Sequence, residues 1–350
     1  MTEPAGDLLE PQPLVFHGEG REYFRIWIVN LALSVITVGI YSAWAKVRRL
    51  QYFYRNTRLA GASFDYHGSP IALLKGRLVA AVMLAAYYGA AAMSPLFGVA
   101  AFGVLALALP WLIVRSLRFR CYNSSYRGIR FRFHGTTAQA YWVYLGLPLL
   151  SVLTLFLLFP LAHQRMRQYQ QNNLAYGSAR FTARLPVGEF YITHILGAVA
   201  FGVLMVAAVI AMVAMAVALA AAGGGAEEPP AILMVVFFVL YGTGLLLSRA
   251  IVLARIQNFV WSHTRMGPHG FFCSLAVQRI FGITLTNVLA TIATLGLFLP
   301  FAQVRLMRYL ASELRFYPGG SLDDIVNASS DDAAAVGEEA AELFDFDIAF

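Results

Sequence analysis

The sequence has 350 residues, of which 59% are hydrophobic and only 13% are charged, and its mean hydropathy is +0.63. Because soluble domains carry about 25% charged residues, this composition excludes an ordinary soluble protein and predicts an integral membrane protein. The 26 Lys and Arg residues outnumber the 19 Asp and Glu residues, and no soluble basic domain is present to bind nucleic acid. We therefore expect the basic side chains to meet anionic lipid headgroups.

Seven hydrophobic segments follow an N-terminal stretch, 1–14, that we predict to be disordered. The segments are 24–43, 78–94, 97–114, 141–160, 191–219, 231–247 and 281–301. A spanning helix needs roughly 20 apolar residues, so the sequence predicts four to seven transmembrane helices. The first 22 residues carry five acids and no apolar core, which is not the pattern of a signal peptide.

Two of the connections between segments lack basic residues, namely Ser94-Pro95-Leu96 and the stretch 220–230. We predict that these connections are periplasmic loops, each closing a transmembrane hairpin, near 78–114 and near 191–249. The three single segments, 24–43, 141–160 and 281–301, either cross the membrane or re-enter on the cytosolic face. Re-entry is favoured because it places all 26 Lys and Arg residues on one side, as the positive-inside rule prefers, whereas crossing divides them as 16 and 10.

A short motif recurs after each single segment: an Ala, an Arg three residues later and a Tyr four residues after that. The Arg and Tyr lie one helical turn apart on one face. The pairs are Arg48 with Tyr52, Arg165 with Tyr169, and Arg305 with Tyr309. An Arg can hold a lipid phosphate bidentately, which makes these six residues candidates for anion or lipid binding; ordinary interfacial anchoring is the alternative.

A second motif, rich in Asn, Gly and His, recurs downstream of the basic helix ends. Its members are Asn56, Gly61 and His67, then Asn123, Gly128 and His134, then Asn258 and His269. Hydrophobicity alternates within these stretches, which is typical of half-buried strands. We predict short hairpins at the cytosolic surface that bury Phe64, Phe131 and Phe181 and display Arg130, Arg132 and Arg180. The His residues are either turn residues before a required Gly or a converging metal or proton-sensing cluster.

The membrane segments offer few polar groups. Asn30 and Asn287 occupy corresponding early positions in two single segments and are candidate intramembrane polar residues, with an interhelical hydrogen bond as their simplest role. The two cysteines have no metal-ligand spacing, and no nucleophile motif or phosphate loop appears. The sequence therefore predicts neither catalytic residues nor a cofactor or metal, and hence no enzyme.

The C-terminal stretch 321–350 holds nine acids and no Lys or Arg, a composition typical of disorder. Its last residues, 344–350, alternate apolar and polar positions. We predict that this segment adds as a strand to the edge of the β layer; the alternative is a tail that binds a protein partner or nothing. The oligomeric state is not predicted.

The sequence resembles the YjgN family of bacterial inner-membrane proteins over about 15–320, and a set of N-terminal positions carries the resemblance. They are Phe16-His17-Gly18, Tyr23-Phe24, Asn30, Gly39-Ile40-Tyr41, Trp44-Ala45, Arg49, Tyr52 and Asn56. The resemblance implies a multi-pass inner-membrane protein and supplies no catalytic residues, since the family is one of unknown function.

Together these observations predict an all-α multi-pass membrane protein with internal repeats and a small cytosolic β-hairpin layer. The membrane domain spans 15–320, with repeats near 16–68, 131–184 and 266–320. The function predicted is a non-enzymatic module in the bacterial inner membrane that binds anionic lipid headgroups or acts as a scaffold at the cytosolic face. The alternative is a transporter or channel built from inverted repeats.

Overall fold

A computed structural model describes residues 10–221 and 231–320. Within these ranges, eleven short strands form one antiparallel sheet. The strands are β1 (Gln12–Pro13), β2 (Val15–Phe16), β3 (Thr57–Leu59), β4 (Ala62–Tyr66), β5 (Ser124–Tyr126), β6 (Ile129–Phe133), β7 (Leu174–Tyr176), β8 (Ala179–Ala183), β9 (Thr264–Met266), β10 (His269–Cys273) and β11 (Leu314–Tyr317).

The sheet nearly closes on itself through the N-terminal segment. Its spatial order is β1-β11-β10-β9-β8-β7-β6-β5-β4-β3-β2. Only Leu14 separates β1 from β2, and the Leu14 N–H donates to the carbonyl oxygen of Leu314 at 3.1 Å. Residues 12–16 therefore pair with β11 on one side and with β3 on the other. We call this sheet the barrel.

The helices alternate with pairs of neighbouring strands. They are α1 (Gly20–Ile36), α2 (Ser42–Arg55), α3 (Pro70–Met93), α4 (Pro95–Tyr122), α5 (Thr137–Tyr141), a π-helical turn (Trp142–Gly146), α6 (Leu147–Leu153), α7 (Phe159–Asn172), α8 (Val187–Ala221), α9 (Ala231–Ser262), α10 (Val277–Ala293) and α11 (Leu299–Ser312). They form five helical hairpins: α1–α2, α3–α4, α5–α7, α8–α9 and α10–α11.

All five helical hairpins leave from the same edge of the barrel. Each begins after one strand and ends before the antiparallel neighbour of that strand. Both of its ends consequently lie at one edge, which we call the helix edge. The tight turns between the paired strands lie at the opposite edge. In two of these turns both central residues have positive φ, as at Ala60 (46°) and Gly61 (79°), which is the twist that two-residue hairpins prefer.

The strands form because apolar and polar residues alternate along them. In β6, Phe131 packs among the aromatic residues inside the barrel, while Arg130 and Arg132 are exposed outside. Phe64 and Phe181 belong to the same interior cluster and Arg180 is exposed, so the predicted facing of these residues is confirmed.

Two of the helical hairpins are long enough to cross a membrane. Their four helices provide apolar spans at Pro70–Met93, Pro95–Tyr122, Val187–Ala218 and Ile232–Ser262, which coincide with four of the predicted segments. The other three hairpins are short. The segments 24–43, 141–160 and 281–301 turn back within themselves and return to the helix edge, in agreement with the re-entrant alternative.

The tips of the three short hairpins have the same backbone structure. Two consecutive residues with positive φ make each reversal, for example Val38 (51°) and Gly39 (88°). A Thr precedes each pair: Thr37, Thr154 and Thr294. Each Thr hydroxyl donates to a carbonyl one turn back and accepts an N–H four residues ahead. This arrangement satisfies backbone N–H and carbonyl groups that the reversal would otherwise leave unpaired.

The prediction of an all-α protein with only a small layer of hairpins is wrong, because the strands join into the barrel. Closure depends on pairing between residues near 12 and residues near 316, a separation that local sequence patterns do not report. Strand β1 also lies inside the predicted disordered stretch 1–14. Residues 1–9 and the acidic tail, including 344–350, lie outside the described residues.

Candidate functional site

The three tyrosines of the recurrent motif hold the bases of the short hairpins. The hydroxyl group of Tyr52 accepts the N–H of Glu19 at 2.8 Å, and that of Tyr309 accepts the N–H of Ala276 at 2.8 Å. The Tyr169 hydroxyl donates to the carbonyl oxygen of Thr136 at 3.0 Å. Glu19, Thr136 and Ala276 are the residues that precede α1, α5 and α10. Each Tyr thus joins the second helix of its hairpin to the start of the first helix.

Burial is the main cause that raises the pKa of each of these tyrosines, to about 12 for Tyr169. The positions that correspond to them in the two long hairpins are Phe119 and Phe259, which have no hydroxyl group. The hydroxyl contact is therefore particular to the short hairpins.

The arginines of the motif lie on the outer surface. Arg48, Arg165 and Arg305 are all exposed. Arg305 donates to the Thr286 hydroxyl at 2.8 Å and to the Asn287 side-chain oxygen at 3.3 Å. Arg48 and its paired Tyr, Tyr52, both line one groove.

This groove, which we call the α1–α2 groove, has a volume of about 560 Å³. Its charged walls are Arg25, Arg48, Arg55 and Glu22. Arg55 is paired with Asp65 at 2.8 Å, and Glu22 accepts from the Tyr52 hydroxyl at 3.1 Å. Arg25 and Arg48 are exposed and have no hydrogen-bond or ion-pair partner among the described residues, although Arg48 also lies 5.9 Å from the Tyr41 ring.

The two candidate intramembrane residues behave differently. Asn287 in α10 donates to the carbonyl oxygen of Ala302 in α11 at 3.2 Å, which is the interhelical bond that the sequence suggests. Asn30 in α1 is buried, and its side-chain oxygen has no hydrogen-bond partner in the described structure. Neither residue lines the α1–α2 groove.

The residues of the second motif join neighbouring parts of the fold. The Asn56 and Asn123 side chains donate to the carbonyl oxygens of Tyr52 and Phe119, one turn back in their helices. The backbone N–H groups of His67 and His134 donate to the backbone carbonyl oxygens of Asn123 and Asn173, respectively, both at 2.8 Å. Gly61 and Gly128 lie in the tight turns of the barrel.

The copy of the second motif at Asn258 and His269 has a different register from the one that the sequence suggested. His263, not Asn258, follows the last helical turn, and its ring nitrogen lies 2.8 Å from the Phe259 carbonyl oxygen. Asn258 instead bonds the backbone of Leu275 through both ends of its amide. His269 is buried at the start of β10 and accepts the N–H of Gly319 at 3.1 Å. The described residues contain no group of three or more His, Cys, Asp or Glu side chains arranged to hold a metal ion.

Sequence reasoning missed a histidine pair between α7 and α8. The His163 and His194 ring nitrogens are 3.3 Å apart, and Arg167 donates to His163 at 3.3 Å. Burial, with the charges of Arg167 and His194, lowers the pKa of His163 to about 4. The two histidines are 31 residues apart in the sequence, without a shared motif to indicate the contact.

Sequence reasoning also missed a cavity of about 650 Å³ inside the barrel. Its walls are the inward side chains of the strands and the last turns of α2, α4, α7, α9 and α11, which meet at the helix edge. Most of the lining is aromatic or aliphatic. Of the described lining residues, Arg120 alone is charged. The alternating aromatic residues of the strands were the available signal, but the cavity exists only because the sheet nearly closes.

The chain matches the family model described as a bacterial protein of unknown function, DUF898, over residues 11–343. It is 32% identical over 150 residues to the inner membrane protein YjgN of Salmonella typhimurium, a match that covers 41% of this chain and 37% of the relative. It is 32% identical over 145 residues to YjgN of Escherichia coli K12, covering 40% of this chain and 35% of the relative. The match therefore spans little more than a third of these relatives. No solved structure matches the chain significantly.

Proposed function

The chain belongs to the DUF898 family, and the resemblance to YjgN is confirmed; we propose that this member binds anionic lipid headgroups at the cytosolic face of the membrane. Its relatives are named inner membrane proteins, and its four apolar spans make it a multi-pass inner-membrane protein. The observation that carries the proposal is the α1–α2 groove with the unpaired Arg25 and Arg48 at its walls.

The distribution of charge supports the same side of the membrane. All 26 Lys and Arg residues lie in the described part of the chain, and the one farthest from a strand is Arg249, 15 residues before Thr264. The described residues carry six acids, which are Glu10, Glu19, Glu22, Asp65, Glu189 and Glu313. The positive-inside rule then assigns the barrel to the cytosol. Anionic lipids of that leaflet would meet a surface with a large excess of cations.

The groove has the chemistry that a phosphate needs. An Arg guanidinium offers a planar fork of donors that matches phosphate oxygens. Arg55 is already tied to Asp65, so Arg25 and Arg48 are the available cations. We expect them to share one phosphodiester at the level of the headgroups.

The test is lipid retention by the full chain in nanodiscs, read by native mass spectrometry. Discs would contain phosphatidylcholine alone or phosphatidylcholine mixed with phosphatidylglycerol. We expect phosphatidylglycerol to be retained preferentially. Each cation near an anionic surface is worth about 1 kcal/mol, so the double variant Arg25→Gln/Arg48→Gln should weaken this retention roughly thirtyfold.

The matched control removes two exposed arginines, Arg180 and Arg265, from the outer face of the barrel. We expect Arg180→Gln/Arg265→Gln to retain phosphatidylglycerol as the wild type does. If the groove variant retains as much phosphatidylglycerol as this control, the groove is not the site.

We also infer that the five strand–hairpin–strand units are copies of one motif. The support is the recurrence of the Thr tip and the Tyr base in three units at corresponding positions. Because all five units leave from the same edge, this arrangement gives no support to the alternative of a transporter built from inverted repeats. The absence of enzymatic activity remains a prediction.

A further inference from the structure

We propose that the barrel cavity is a binding site for one long-chain fatty acid, with the carboxylate at Arg120 and the hydrocarbon chain inside the barrel. The proposal rests on the cavity and is independent of the α1–α2 groove, since Arg120 and the groove arginines line separate spaces.

The part of the cavity that would hold the hydrocarbon chain is lined mostly by aromatic side chains of the strands. Phe64 and Phe131 line its middle. At the turn edge, the Tyr126 hydroxyl donates to the Leu59 carbonyl oxygen at 2.6 Å, and the Tyr176 hydroxyl donates to the Tyr126 carbonyl oxygen at 3.0 Å. Because these hydroxyl groups bond to the barrel wall, the tyrosines present their rings to the interior, so this end of the cavity is apolar.

The polar groups of the lining collect at the opposite end, the helix edge. Arg120 lies in the last turn of α4, beside Ser124 at the start of β5. Gln171, in the last turn of α7, also lines the cavity, and its side-chain oxygen is buried without a hydrogen-bond partner in the described structure. The cavity is thus amphipathic along its length, like the ligand that we propose.

Arg120 has a second cation, Lys46, within electrostatic range. The charges of Arg77, Arg49 and Arg120 all act on Lys46 in α2, and burial together with these charges lowers the pKa of Lys46. The Arg120 side chain has no hydrogen bond or ion pair with any described residue. Arg120 is exposed and also lines the cavity, so its guanidinium can pair with a carboxylate, whose two oxygens match its planar donors.

The size of the cavity selects a single chain. Ligand sites commonly measure about 300–1,000 Å³, and this one measures about 650 Å³. A methylene group fills about as much space as a water molecule, about 30 Å³, so the cavity has room for about twenty such groups. One chain of the common membrane lengths fits with its headgroup, whereas the two chains of a phospholipid do not.

Barrel geometry explains why the space is open. Barrel diameter grows with strand number, and about eight strands already leave room for one small ligand. Here β1 and β2 act as one strand, so ten strands surround the axis. Even with large aromatic side chains directed inward, a barrel of this width does not fill its own centre.

The experiment measures binding of radiolabelled palmitate to the full chain in phosphatidylcholine nanodiscs, as the excess over empty discs. Hexadecanol, with the same chain and no charge, is the second probe. We expect one palmitate per chain. Arg120→Gln should weaken palmitate binding about tenfold to a hundredfold, because a hydrogen bond to a charged group is lost, and should leave hexadecanol binding unchanged.

Two further variants make the result interpretable. Leu59→Trp fills the cavity with apolar volume and should reduce binding of both probes, while thermal unfolding shows whether the variant folds. Arg115→Gln also removes one positive charge from α4. Arg115 lies 4.7 Å from the Trp111 ring and does not line the cavity, so we expect this variant to bind palmitate as the wild type does. Arg120→Lys should recover part of the binding.

Three results would overturn the proposal. One is palmitate binding no greater than that of empty discs. Another is palmitate binding that is the same in wild type, Arg120→Gln and folded Leu59→Trp. The third is displacement of palmitate by a lysophospholipid at lower concentration than by unlabelled palmitate, since the preferred headgroup would then be a phosphate.

Discussion

The substitution Gly135→Ala tests the role of the Gly that follows His134 in the recurrent motif. A Cβ atom on Gly135 would lie 2.4 Å from the Phe133 ring and 2.4 Å from the Tyr169 hydroxyl oxygen. Contacts under 3.0 Å essentially never occur, so these groups must move by at least 0.6 Å, the difference between the two distances. Both rings are buried and pack edge to face at 5.6 Å.

Because the rings have no free space, we expect Gly135→Ala to destabilise the protein by about 1–3 kcal/mol, the usual cost of overpacking a core. The measurement is thermal unfolding of the purified chain, followed by intrinsic fluorescence, which should show a midpoint lower by several degrees. The control is Gly188→Ala in α8, where a Cβ meets open space and the midpoint should not fall.

An unchanged midpoint for Gly135→Ala would refute this reasoning. It would also remove the explanation for the equivalent glycines, Gly18 and Gly68. A Cβ atom on Gly18 would lie 2.4 Å from the Phe16 ring, and one on Gly68 would lie 2.4 Å from the Tyr66 hydroxyl oxygen. In that case the recurrence of His-Gly would need a cause other than aromatic packing.

Three further predictions concern the turns, the titration and the topology. Ala60→Gly should raise the unfolding free energy by about 1 kcal/mol in denaturant titrations, because Ala60 has a φ of 46° that costs a side chain about this much. Since the pKa of His163 is lowered to about 4 from 6.5, the unfolded chain binds this proton first, so stability should be full above pH 6.5 and fall towards pH 4. His163→Gln should flatten this decline in thermal midpoints, whereas substitution of the exposed His17 should not. In a background without native cysteines, Ser94→Cys should react with an impermeant reagent in intact cells, and Ser63→Cys should react only after the membrane is opened.

Local structure could be predicted from the sequence because it depends on neighbouring residues. The alternation Ile129-Arg130-Phe131-Arg132-Phe133 indicates a strand and even its inner face, and the structure has β6 there with Phe131 inside. The long apolar segments likewise correspond to helices of spanning length. These features follow from periodicity, which a single segment carries by itself.

The barrel could not be predicted in the same way. Its closure depends on Leu14 bonding to Leu314, across 300 positions, and on a segment of five residues that pairs on both sides. Such short strands have little propensity of their own and form because their neighbours complete them. The cavity and the placement of Arg120 follow from closure, so they could not be predicted from the sequence either.

The copy of the motif assigned to Asn258 and His269 shows why residue identity alone misleads. At the helix end, Asn56 supplies a side-chain group that reaches a carbonyl one turn back, and in the fourth unit His263 does this with a ring nitrogen. Different residue types can make the same hydrogen bond. Asn258 is the residue type that the motif requires, but it lies within α9, and its side chain donates to the Leu275 carbonyl oxygen.

The short hairpins explain why the recurrent Thr and Tyr belong to three units and not to five. A long hairpin such as α3–α4 reverses beyond the apolar span, where water can satisfy its turn. A short hairpin is expected to re-enter without crossing, and in that topology the N–H and carbonyl groups at its tip must be satisfied from within. Thr37 does this at one tip, with bonds to Leu33 and Tyr41. Tyr52 fixes the other end of the same hairpin, whereas its counterpart in α4 is Phe119. Thr37 and Tyr52 thus fix the two ends of the same short hairpin.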